Sequence, residues 1–102
     1  MIEEQVTDTI SAVLLRKSGF KAKPSFYWCD NQDGAPFIMP SGMQEGIVVP
    51  AWTAQEIISC LPDVVVGIRD DHFFCYEPNG DKIFRCANLA NCLAELWCHV
   101  NS

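Results

Sequence analysis

Apolar positions recur along this chain with two different periods, and the changes of period mark its elements. Ile2, Val6, Ile10, Val13 and Leu14 return at three- and four-residue steps, the spacing of one helix face. Glu3, Glu4 and Asp8 sit near the start of that run, where the helix dipole favours anions. Gly19 stands where helices end in the left-handed conformation, and Phe20 is placed to fold back on Leu15. The pattern predicts a helix over 2–18. Ser25 to Cys29 (SFYWC) predicts a strand and Asp30 to Gly34 a turn. From Ala35 to Gly46 no period holds, because Pro36, Pro40, Gly42 and Gly46 interrupt Phe37, Ile38, Met39 and Met43. That stretch predicts an irregular loop.

Ile47-Val48-Val49 is a short extended lead into a marked helix start. Thr53 and Glu56 have the spacing of a capping box, and Trp52 is placed to pack on Ile57 as a hydrophobic staple. Pro62 ends this second helix, whose buried face is Ile57, Ile58 and Leu61. Val64 to Ala87 then carries the densest run of β-branched and aromatic residues. Asp70-Asp71 predicts a first turn in it. Glu77-Pro78-Asn79-Gly80 predicts a type I turn with glycine at positive φ. With Lys82–Cys86 as the return strand and Glu77 opposite Lys82, Phe73 and Cys75 share a face with Phe84 and Cys86. A one-residue slip would put Arg85 opposite Phe73, so the first register is preferred. Asn88 caps a last helix with the stripe Leu89, Cys92, Leu93, Leu96, Trp97 and Val100.

The elements predict an α+β fold in the order α-β-α-β-β-β-α. A small antiparallel sheet of three to four strands, built on the hairpin region 64–87, is covered by three helices. Residues 1–102 make a single domain at this length. No apolar run approaches the roughly 18 residues of a membrane span, so no membrane is expected. MIEEQVTD lacks the basic start and apolar stretch of a signal peptide, which predicts a cytoplasmic protein. The net charge of −6 argues against nucleic acid. Four of the seven basic residues (Arg16, Lys17, Lys21 and Lys23) nevertheless cluster within eight positions. They read as a solvated helix C-terminus, with anion contact as the alternative.

Six cysteines stand at positions 29, 60, 75, 86, 92 and 98, none in a C-x-x-C pair. A reducing compartment leaves them as thiols that fill space like small hydrophobes. Thiol catalysis would need an imidazole within reach of a thiolate. His72 and Cys75 face opposite sides of a strand, and Cys98 and His99 diverge on a helix. A zinc site would have to be assembled by the fold from Cys75, Cys86, Cys92 and His99, without the short paired spacings such sites use. Asp70-Asp71 is a solvated acidic turn rather than a carboxylate pair. Neither catalytic nor metal-binding residues nor a cofactor is expected.

A helix ending in Lys-Ser-Gly-Phe is followed by SFYWC and a Gly/Pro loop, then by VPAWTAQE opening a short helix, a hairpin and LANCLAELW. This order resembles small uncharacterised proteins of phages and prophages of gut Bacteroides-type bacteria. A Pro-Ala-x-Thr helix start and an Ala/Leu-rich closing helix recur in that group. The resemblance implies a bacterial cytoplasm and brings no activity, cofactor or site residue. The heavy use of cysteine and the short second helix depart from it.

The functional expectation is a non-catalytic interaction module that docks on a protein partner or on itself. Phe37, Ile38, Met39 and Met43 are the candidate contacts. A homodimer would form through an edge strand at 25–29. The alternatives are a thiol- or metal-dependent enzyme and an acidic decoy that captures a basic host protein.

Overall fold

The computed structural model describes residues 5–30, 36–42, 47–61 and 63–101. Three helices and two three-stranded antiparallel sheets make an α+β fold in the order α1 (Thr9–Lys17), β1 (Phe26–Asp30), β2 (Phe37–Pro40), β3 (Ile47–Ala51), α2 (Ala54–Ile58), β4 (Val65–Arg69), β5 (His72–Tyr76), β6 (Phe84–Cys86), α3 (Leu89–Val100). The expected single sheet is therefore two, β2-β1-β3 and β4-β5-β6.

The first helix begins later than its periodicity predicts. Asp8 is the N-cap, its carboxylate accepting from the Ser11 amide at 2.7 Å. Val6 instead forms an isolated bridge to Thr53, and the Thr7 amide donates to the Trp52 carbonyl at 2.9 Å. Asn88 reaches the Val6 carbonyl and Asn91 holds both the amide and the carboxylate of Asp8. These bonds, made to residues 45 to 83 positions away, hold residues 6–8 extended. Residues 1–4 lie outside the described part. The buried face turns accordingly to Ala12 and Leu15, leaving Ile10 73% and Leu14 54% exposed. Beyond Lys17 the expected ending is present. Gly19 has φ +98°, its amide reaches Arg16, and the Phe20 amide reaches Leu15, the double bond of a Schellman cap.

Residues 37–40, expected to be loop, form β2; of the predicted turn over 30–34, Asp30 instead ends β1 and the rest lies outside the described residues. β2 pairs with β1 from Cys29↔Phe37 to Phe26↔Pro40, and β3 takes the other side of β1. β1 is thus an interior strand, not the edge that its sequence suggested.

The capping box at Thr53 is complete. The Glu56 amide donates to Thr53 Oγ1 and Glu56 Oε1 accepts from the Thr53 amide at 2.8 Å. The second Glu56 oxygen holds Ser25, which fixes the entry to β1.

The register predicted for the second sheet is the one observed, Phe73↔Cys86 and Cys75↔Phe84. Asp70 and Asp71, at φ 53° and 63°, make a two-residue turn with both central residues left-handed. The Gly80 amide closes the next turn on Glu77, but Gly80 does not take the expected positive φ. The return strand is shorter than predicted. Lys82 precedes it, with its ammonium 5.3 Å from the Phe84 ring centroid.

α3 is the centre of the packing. Ala90, Cys92, Leu93, Ala94, Leu96 and Trp97 are buried on it. α1, α2 and the inner face of the second sheet all close on this helix. Phe20 sits edge-on between Trp52 and Trp97, with centroids 4.9 and 5.0 Å away. T-shaped pairs of this kind contribute about 1 kcal/mol each beyond their buried area.

Candidate functional site

Three of the thiols come closer together than their spacing suggests, and the surroundings of two of them, Cys86 and Cys92, disfavour the thiolate. Cys75 and Cys92 are buried with their sulfurs 3.2 Å apart. Cys75 also donates to the Cys92 carbonyl and Cys92 to the Phe84 carbonyl. Half-buried Cys86 lies beside Cys92 and Glu95, and its pKa is pushed up to about 12 by burial first and then by the Glu95 charge. The hydrogen bond to Cys75 and then burial push Cys92 higher still. A nucleophilic thiol needs the opposite shift. The His99 ring packs 5.6 Å from that of Phe84. Among the described residues no group of three or more His, Cys, Asp or Glu could hold a metal ion.

The candidate partner residues Phe37, Ile38 and Met39 are half-buried in β2, paired along β1. Met43 lies outside the described residues. Arg16 and Lys17 occupy the last turn of α1, where cations complement the dipole, and Lys21 and Lys23 are exposed beyond it.

The feature that stands out instead is β4. It is hydrogen-bonded to β5 alone, and Val65, Val66 and Ile68 are three of the six exposed large hydrophobics among the described residues. Register places Val66 and Ile68 on the inner face with Cys75 and Phe73, past the end of the helical cover. Val65 and Gly67 lie on the open face opposite Tyr76 and Phe74. The sequence VVVGIR reads as a core strand, so its exposure was not anticipated. Its lack of lysine or proline was the legible sign of an unguarded edge.

The open face is not bare. Arg69 lies across from His72, and Phe74 lies across from both Gly67 and Arg85. The His72 ring is steadied by its Nδ1, 3.1 Å from the Asp70 carbonyl oxygen. No helix among the described residues is long and apolar enough to cross a membrane. Comparison of the chain with protein-family models, with curated proteins and with solved structures finds no match.

Proposed function

We propose that the protein acts by self-association, as a homodimer in which β4 of one copy pairs antiparallel with β4 of another. The setting is the bacterial cytoplasm that the sequence resemblance implies. The carrying observation is that β4 is a five-residue edge strand whose Val65, Val66 and Ile68 are exposed, and that its one charge, Arg69, stands at its end. A twofold axis at Gly67 makes this strand complementary to itself. Val66 of each copy then faces Ile68 of the other on the inner side, and Val65 faces Arg69 on the outer side. Two three-stranded sheets become one of six strands, and the exposed Val66 and Ile68 of each copy leave water on the inner side. This edge replaces the one expected at 25–29, which β2 and β3 already occupy.

Sedimentation velocity across the micromolar range tests the reading. The wild-type chain should pass from monomer to dimer with concentration. Ile68→Lys should remain monomeric at an unchanged melting temperature, because this side chain is 65% exposed within one copy. A wild-type chain that is monomeric throughout sinks the proposal, and so does an Ile68→Lys variant that dimerises as before.

A further inference from the structure

The open face of the second sheet carries a charge pattern at odds with the rest of the chain. Arg69, Asp70, His72, Phe74 and Arg85 bound a cleft of about 240 Å3 over β5. Arg69 rises from β4 and Arg85 from β6, so the two cations flank the cleft across two strand spacings, about 10 Å. Neither guanidinium is engaged in an ion pair or hydrogen bond among the described residues. Acids outnumber bases thirteen to seven in this chain, so two unengaged arginines sharing one cleft are not explained by charge balance.

The cleft also has an aromatic wall held in place. Gly67 has no side chain, and the tip of the Phe74 ring occupies the space its Cβ would need. On the far side Phe74 stacks nearly parallel to Tyr76, with centroids 6.3 Å apart. His72 is the neighbouring same-face residue on β5, and such positions lie about 6.8 Å apart.

We propose that this cleft binds a nucleoside phosphate. The base lies against Phe74 and His72, and the phosphate lies between the guanidiniums, whose forked donors match its oxygens. Asp70, presented at the rim by its left-handed turn, accepts from a hydroxyl or amino group of the same ligand. A plain anion would leave the aromatic wall unused and meet Asp70 as a repulsion. The site lies within one chain and does not rest on the pairing of β4.

Isothermal titration of the full chain at low salt, with adenosine monophosphate, adenosine and inorganic phosphate in parallel, tests the assignment. The expected result is saturable binding of the monophosphate at least tenfold tighter than either half. The Arg69→Gln/Arg85→Gln double variant should lose at least tenfold for the monophosphate. Both side chains are exposed, so it should melt as the wild type does. Phe74→Leu keeps a side chain over Gly67 and should weaken the monophosphate more than inorganic phosphate. No binding of the monophosphate, equal binding of inorganic phosphate, or undiminished binding by the double variant overturns the proposal.

Discussion

The sheets β2-β1-β3 and β4-β5-β6 are built alike, three antiparallel strands each, yet they meet solvent in different ways. Both edges of the first carry a proline, Pro40 at the end of β2 and Pro50 within β3, which removes donors an added strand would use. Half-buried Trp28 of its interior strand donates its indole N–H to the Thr7 carbonyl at 2.7 Å, tying the sheet to the N-terminal segment. The second sheet puts Cys75 and Phe84 into the core on one face and leaves the other face open. Its β6 edge is three residues long with its arginine in the middle, whereas β4 is five residues long and carries its arginine only at the end. Two sheets of one size therefore serve different ends. The first is closed to addition, and the second is anchored from beneath and available above and at its edge.

The largest expected effect tests the anchoring. Phe84 is 9% exposed and belongs to the core cluster through the second sheet, so Phe84→Ala should cost about 3 kcal/mol or more in urea unfolding. Ile38→Ala in the first sheet removes a half-buried side chain from an edge strand and should cost about 1 kcal/mol. Equal losses would mean that the first sheet is as integral to the core as the second.

Next in size is the tie between the first sheet and the N-terminus. Thr7 is fully buried, and its Oγ1 accepts from the Trp52 amide at 3.3 Å. Thr7→Val keeps the shape but leaves that amide without its hydroxyl partner, at a cost of about 2 kcal/mol. Thr7→Ser, which retains the oxygen, should recover most of this. If both variants unfold with the wild type, the segment is packed rather than bonded in place.

The same segment shows where sequence reasoning stops. The Schellman ending at Gly19, the capping box at Thr53 and the register of β5 against β6 were legible because each is decided within a few contiguous residues. The start of α1 was not, since Thr7 and Asp8 are claimed by Trp52 and Asn91, and helical period carries no information about such distant partners. β2 was missed for a related reason: Phe37-Ile38-Met39-Pro40 does not alternate, and its strand conformation comes from pairing along β1. The interior place of β1 needed both β2 and β3. Neither candidate site could be read in advance. β4 looks like a core strand, and the cleft joins Arg69, His72, Phe74 and Arg85 across three strands. The reading of the cysteines as interior filler anticipated the surroundings of Cys75 and Cys92 but not the exposed Cys60.

Cys86 of β6 and Cys92 of α3 give the side of the core under the second sheet a pH signature. A thiol with a raised folded pKa keeps its proton after the unfolded chain has released it. The unfolded state then binds fewer protons, and stability falls as pH rises. The loss should begin near pH 9.0, the ordinary thiol value, and continue to about 12, where Cys86 titrates in the fold. Better-buried Cys92 carries most of the slope, because the half-exposed position of Cys86 is screened by water. Melting temperatures from pH 8 upward should decline in the wild type and decline less in Cys92→Ala, once its lower starting value is subtracted. A parallel decline would place the alkaline sensitivity elsewhere.

The smallest effect concerns the turn that sets β4 against β5. Asp71 holds φ 63°, a conformation that suits glycine and strains a residue with a Cβ, and Asn-Gly is the favoured pair for this turn. Asp71→Gly relieves that strain and separates Asp70 from a like charge. It also loosens the unfolded chain, which offsets part of the gain. The balance should be a stabilisation of about 0.5 kcal/mol, read as a higher urea midpoint at unchanged slope. Because the turn fixes Arg69 across from His72, the variant should leave the register of the hairpin and the concentration dependence of dimerisation as they are. A stabilised hairpin that no longer dimerises would show that β4 needs strain or mobility to pair, and that its edge is not rigid and preformed.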